Sequence, residues 1–188
     1  MSEDPLNKQK LVPYLVHHIE GFSGLKNVRK FSIGQSNPTF LLETDSNSYV
    51  IRRKPDGPLL KSAHAIDREY RVQKALYNTP VPVAKMLHYC NDDSILGVEF
   101  YIMEFVDGIV YEDPALPGLT NSDRQKVFSE INRGLSSLHE VDIETVGLTD
   151  FGAEGNYYER QIGRWSKQYL SSETEKIAEM NEMMEELP

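Results

Sequence analysis

The run SIGQSNPT, residues 32–39, sets Gly34 at the head of a polar turn between two apolar stretches. Such a turn can aim successive backbone N–H groups and the Ser36 hydroxyl at an anion, because glycine accepts the backbone angles that the cradle needs. The same letters also spell an ordinary hairpin turn. Downstream stands YVIRRKP, where period-two alternation sends Val50 and Arg52 to one face and Ile51 and Arg53 to the other. A guanidinium at a strand end beside a glycine turn suits phosphate oxygens, although a solvated basic edge reads no differently. In IDREYRVQKAL, Glu69 follows Ile66 by three residues and precedes Gln73 by four, so it lies on the apolar side of a helix. An acid there needs a partner, and Arg52 of the neighbouring strand can supply one; taken alone, Glu69 is also read as a half-exposed acid. Together these residues describe a phosphate held by turn amides and by a cation that a carboxylate orients.

A fourth stretch, FYIMEFVDG, runs from an apolar strand into an Asp-Gly break. Chain that leaves a sheet in this way exposes backbone groups able to recognise a flat purine. A plain edge strand leaving the sheet is the other reading.

The elements that would position these residues follow from periodicity. Leu11, Leu15 and Ile19 recur at helical spacing, with Pro5 and Pro13 both suited to a first turn. VRKFSI, TFLLET and SYVIRRK read as three short strands separated by GQSNP and DSNS. A helix from about His64 to Tyr77 carries Ile66, Tyr70, Gln73, Leu76 and Tyr77 on one face. VPVAKMLHYC and VEFYIMEFV then read as two more strands joined by the polar turn NDDS. Beyond Gly108 the pattern becomes helical. One helix with Asn121 or Ser122 as its N-cap carries Val127, Ile131, Leu135 and Leu138 on a stripe. YYERQIGRWSKQYL forms another, and Ser172 three residues before Glu175 suggests a capping box ahead of an Ile177/Met180/Met184/Leu187 stripe. The fold class is therefore α+β up to about residue 107 and all-α beyond it.

Composition narrows the partners. The chain has 188 residues, 39% of them apolar and 26% charged, which permits a packed core. Twenty Lys and Arg against 29 Asp and Glu give a net charge of −9, against broad contact with nucleic acid or anionic membrane. A single cysteine, Cys90, excludes an intrachain disulfide and argues against a cysteine-based metal cluster. The opening MSEDPLNKQK lacks the apolar run of a secretory signal. No stretch approaches the ~20 apolar residues that cross a bilayer. An intracellular, non-secreted protein is expected, with cytoplasm, mitochondrion and peroxisome all open.

In that order, FSIGQSNPTFLL, YVIRRKPDGPLLKSAHAIDREYRVQKAL, VPVAKML, FYIMEFVDG, LPGL, LHEVD, VGL, DFG and RQIGRWSKQYLSSETE span Phe31 to Glu175 almost without a gap. The chain resembles the aminoglycoside-phosphotransferase/choline-kinase-like family of small-molecule kinases. Within it, the resemblance is to the phosphotransferase domain at the N-terminus of some acyl-CoA dehydrogenase family proteins. It implies a protein-kinase-like small lobe, a five-stranded antiparallel sheet plus one helix, over residues 28–107. Residues 1–27 would precede it as a helical segment, and 108–188 would be the first helices of an incomplete α-helical large lobe. Gly34, Gln35, Ser36 and Asn37 would cover the phosphates of ATP. Arg52 would stand where other kinases place a lysine, with Glu69 as its helix partner and Lys54 as a fallback cation. Met103, Glu104 and Val106 would form the adenine hinge. In the family, ATP acts with Mg²⁺ on a small-molecule hydroxyl; the acyl-CoA dehydrogenase connection suggests a hydroxyacyl-CoA and, in a longer product, a C-terminal acyl-CoA dehydrogenase domain.

The tripeptide Asp150-Phe151-Gly152 spells the magnesium-holding motif of protein kinases. A catalytic loop must precede that motif, supplying a base aspartate and a metal-ligating asparagine. Aligning such a His-x-Asp-x-x-x-x-Asn pattern on His139 puts Val141 and Val146 at those positions, and only three residues separate Val146 from Asp150. Asp150 is therefore read as a decoy and His139 as a packing residue at a helix end. The family's own catalytic loop and metal strand are expected after residue 188, so neither a catalytic nor a metal residue is assigned and negligible turnover is expected. A non-catalytic nucleotide- or partner-binding isoform and a truncated product without function are the alternatives.

Overall fold

The computed structural model describes residues 6–32, 36–57, 64–152 and 155–187. The sheet opens with β1 (Asn27–Lys30), β2 (Thr39–Glu43) and β3 (Ser48–Arg53), β2 and β3 each burying three consecutive residues on the two faces. The β2–β3 turn closes on Thr44, whose hydroxyl oxygen accepts from the Asn47 and Ser46 amides. After α2 (Ile66–Leu76) come β4 (Met86–Cys90) and β5 (Phe100–Glu104). The five strands form one antiparallel sheet in the order β1-β2-β3-β5-β4.

Each face of the sheet has its own cover. Phe40, Leu42, Tyr49, Ile51, Phe100 and Ile102 alternate onto one side and pack with Leu11, Leu15 and Ile19. The first two of these lie on α1 (Lys8–His18). Pro13 falls inside that helix rather than in its first turn, where it removes one backbone hydrogen bond. On the other side Met86, Tyr101 and Ile66 pack with Tyr70, Tyr89 and Met103. α2 stops at Leu76, so Tyr77 caps it and is exposed instead of extending the apolar face. Between β4 and β5 the expected turn tightens into α3 (Asp93–Leu96), with Asp92 as N-cap and Gly97 left-handed behind it.

Strand β4 carries a bulge between Met86 and His88. It turns His88 and Cys90 toward α1 in register with Ile102 and Phe100, while Met86 and Tyr89 face α2. His88 Nε2 and the Tyr14 hydroxyl form a 2.8 Å hydrogen bond, and the His18 ring stacks on Tyr14 at 4.0 Å and stands 4.7 Å from His88. Burial, and secondarily the charge of His18, hold the His88 imidazole below its ordinary 6.5. The unfolded chain therefore binds the extra proton first as pH falls through 6.5, so stability declines below that pH and is fully present above it. Urea midpoints are expected to rise between pH 5 and pH 7.5, and His88→Gln to flatten part of that rise. A wild-type midpoint that stays level across this range would refute the linkage.

The chain divides into two compact units, Met1–Leu148 and Thr149–Pro188. The first also contains α4 (Asn121–His139). Its N-cap is Thr120, not Asn121 or Ser122: the threonine hydroxyl oxygen accepts from the Asp123 amide. Gly134 of α4 faces Pro82, with room for a methyl group at 3.6 Å from the proline ring. The expected stripe on α4 is half exposed instead of buried, at 56% for Ile131, 51% for Leu135 and 45% for Leu138. His139 does end the helix, but it is exposed and not packed.

The second unit contains α5 (Tyr157–Ser172), capped by Asn156, and α6 (Ala178–Glu186). Ser172 does not begin a capping box. Its hydroxyl donates to the Gln168 carbonyl at 2.9 Å and so finishes α5, while α6 starts after Ile177 with no side-chain cap. Asp150 sits in an exposed turn of this unit. Among the described residues no helix is long and apolar enough to cross a membrane.

Candidate functional site

Alternation along β3 puts Arg52 on the α2 side, between Thr39 of β2 and Tyr101 of β5. One turn into α2, Glu69 meets it: Arg52 Nε donates to Glu69 Oε2 at 2.7 Å. The other end of the guanidinium donates through Nη1 to Thr39 Oγ1 at 2.9 Å and to the Asn37 carbonyl at 3.3 Å. The Thr39 hydroxyl donates to that same carbonyl at 3.0 Å.

Glu69 collects two further donors. Asn37 Nδ2 reaches its Oε1 at 2.8 Å, and the Tyr101 hydroxyl reaches its Oε2 at 3.1 Å. Burial pushes the Tyr101 hydroxyl up to about 12 and the Glu69 charge adds to the rise, whereas hydrogen bonding by Gln73 and the charge of Arg52 oppose it. Tyr101 thus stays a donor over the whole physiological range. His64, left-handed at φ 59° just before α2, closes the set through a 2.8 Å bond between its Nδ1 and Asn37 Oδ1.

Next to this network lies a cleft of about 590 Å³. Val50, Ala84, Met103 and Phe31 provide flat apolar surface, and the chain from Glu104 to Gly108 forms one edge. Thr39 lines the cleft as well, so a single side chain joins its wall to Arg52. Glu104 is turned away from open solvent at its backbone. Its N–H donates to the Lys85 carbonyl at 3.0 Å and its carboxylate accepts from the Lys85 N–H at 2.8 Å. Val106 beyond it is exposed.

Of the residues singled out in the sequence, Asn37, Arg52 and Glu69 are drawn into one hydrogen-bonded group, and Met103, Glu104 and Val106 line the cleft. Ser36 is exposed. Gly34 and Gln35 lie outside the described residues. Lys54 is engaged elsewhere, with Nζ 2.9 Å from a Glu99 carboxylate that also accepts from Tyr89. Sequence reasoning missed Thr39, Tyr101 and His64. The cross-strand register of Thr39 and Tyr101 with Arg52 was their available signal; His64 had none. Among the described residues no three side chains of metal-ligating type converge, so no step is assigned to Mg²⁺.

A five-stranded sheet in this order, with a helix carboxylate paired to a cation on the third strand, defines a protein-kinase-like small lobe. The chain belongs to the phosphotransferase enzyme family, whose model matches residues 27–188. It is 41% identical over 191 residues to acyl-CoA dehydrogenase family member 10 of Mus musculus, covering 98% of this chain and 18% of that protein. It is 40% identical over 187 residues to family member 11 of the same organism, covering 97% and 24%. A crystal structure described as an aminoglycoside phosphotransferase from Ralstonia eutropha superposes with a TM-score of 0.77 at 47% identity, over 94% of this chain and 51% of that one. The GDP complex of an aminoglycoside 2'-phosphotransferase shares the fold alone, with a TM-score of 0.56 at 13% identity over 88% and 51%. The chain thus spans about a fifth to a quarter of the length of these two mouse relatives.

Proposed function

We propose that this chain is the nucleotide-binding portion of an ATP-dependent small-molecule phosphotransferase. The observation that carries the reading is the continuity from cleft to cation: Thr39 is both wall of the apolar cleft and hydrogen-bond partner of Arg52. A purine fits between Val50, Ala84 and Met103, with backbone of the Glu104–Val106 segment along its edge. Arg52, oriented by Glu69, then meets phosphate oxygens, and the turn Gly34–Asn37 covers them. Residues 28–107 form the nucleotide lobe and 108–188 belong to the helical lobe, while α1 braces the sheet through Leu11 and Leu15.

ATP would supply the γ-phosphoryl group and an acceptor hydroxyl would receive it. The names of the mouse relatives favour a hydroxyacyl-CoA as acceptor. Turnover by these 188 residues alone is expected to be negligible, because Val141 and Val146 stand at the positions that a base and a metal ligand would take from His139.

Calorimetric titration with ATP tests the reading. Saturable binding is expected, and Ala84→Trp, which places an indole in the cleft, should abolish it while the circular dichroism spectrum is kept. No saturable heat from the unmodified chain, or equal binding by the variant, would overturn it.

A further inference from the structure

The Arg52–Glu69 pair does not stand alone, and the groups behind it fix the direction of every hydrogen bond. Glu69 faces a guanidinium and a tyrosine hydroxyl on Oε2, so its carboxylate serves as acceptor. Asn37 must therefore present its NH₂ group to Oε1, and the carbonyl oxygen of that same amide is left facing His64. An amide oxygen cannot donate, so His64 Nδ1 must carry the proton. Asn37 is 5% exposed, and both ends of its side chain are committed within this set. Its main-chain carbonyl takes two more donors, Arg52 Nη1 and the Thr39 hydroxyl.

We infer that Asn37 and His64 are positioning residues for Arg52, forming a one-way relay from the imidazole through the amide to the carboxylate that holds the guanidinium. This rests on the reading of Arg52 as a phosphate contact. It departs from a role for the Asn37 side chain in covering phosphate directly, because both polar atoms of its amide are spent on the relay. Both the neutral ring in this tautomer and the imidazolium donate from Nδ1, so the relay survives a change in the charge of the ring. His64 suits the site in a second respect. Its φ of 59° lies in the left-handed region, where asparagine and glycine are the tolerated substitutes.

Those two substitutes make the test. His64→Asn keeps the backbone and sets an amide N–H where Nδ1 stands; His64→Gly keeps the backbone and loses the donor. His64→Gly should weaken ATP binding roughly five- to tenfold, in line with the loss of one hydrogen bond in a charged network, while His64→Asn stays within about twofold of the unmodified chain. Independently of nucleotide, ¹⁵N-edited spectra of the ring in mildly alkaline buffer should show the Nδ1–H tautomer, the minor form of free neutral histidine. Asn37→Ala should return the ring to the Nε2–H form. An Nε2–H ring in the unmodified chain, or His64→Gly binding ATP as tightly as the unmodified chain, would overturn the relay. A chain that takes up no ATP, or an Ala84→Trp variant that binds it normally, would sink the nucleotide reading instead, and the ring tautomer would still decide for or against the relay.

Discussion

Replacing Arg52 by alanine is expected to lower ATP affinity roughly 10- to 100-fold, the range for losing one charge-assisted contact to phosphate. The guanidinium has two jobs that a shorter side chain cannot share. Nε is held by Glu69 at 2.7 Å and Nη1 by Thr39 at 2.9 Å, so these two bonds aim Nη2, which has no partner among the described residues. Arg52→Lys should recover only part of the affinity, because an ammonium keeps the charge but not the fork that Glu69 and Thr39 hold. The pair is 26% and 32% exposed at its two side chains, between a surface pair and a buried one, so its loss should cost about 1–3 kcal/mol of stability without unfolding the chain. Affinity and stability therefore separate. Calorimetric titration beside a urea melt reads both, and a variant whose ATP affinity is unchanged refutes the assignment. Lys54→Ala serves as the contrast: with its ammonium bound to Glu99 it should change affinity by about twofold or less.

Phe100→Ala should be the most damaging single truncation in the sheet. Phe100 is fully buried, pairs with Cys90 and Arg53 on its two neighbouring strands, and meets Tyr14 of α1 edge-on at 6.0 Å between ring centroids. Removing the ring leaves a void at the point where the sheet rests on α1, and such changes cost about 3–5 kcal/mol. Against a domain stability of about 5–15 kcal/mol, that removes from roughly a fifth to the whole of the margin. Chemical denaturation followed by circular dichroism measures it. A loss below about 1 kcal/mol would mean that α1 and the sheet are not one core. Ile109→Ala, at 78% exposed, should leave the midpoint in place.

Much of this arrangement was legible in the residues, and what was not has identifiable physical reasons. Period-two alternation sent Arg52 and Ile51 to opposite faces, as they are found, and the 3.6 period of α2 put Glu69 within reach of Arg52. Local pattern is enough there because each inference spans only one strand or one helix turn. It failed where a partner distant in the chain decides. Asn37 belongs by its neighbours to a polar turn, yet contacts with Glu69 and His64 bury it. His64 carries no local mark of its left-handed backbone.

Helix ends misled for a related reason. Thr120, Asn121 and Ser122 are all acceptable caps, and a difference of one residue is set by geometry rather than by side-chain chemistry. Ser172 has the spacing of a capping box, but its hydroxyl finds the carbonyls of the helix before it instead of the amides of the helix after it. The apolar stripe on α4 reports what a helix is able to bury, whereas exposure depends on which surfaces lie against it in this chain.

The bulge in β4 divides the obligations of that strand. On its N-terminal side Met86 keeps step with Met103 and the cleft; on its C-terminal side His88 and Cys90 keep step with the core under α1. In an unbroken strand, adding or deleting one residue would turn every later side chain over at once. Here Leu87 already absorbs such an offset. A change in the length of the lead-in at Pro82–Lys85 can therefore reshape the wall of the cleft while the interior beneath the sheet keeps its register.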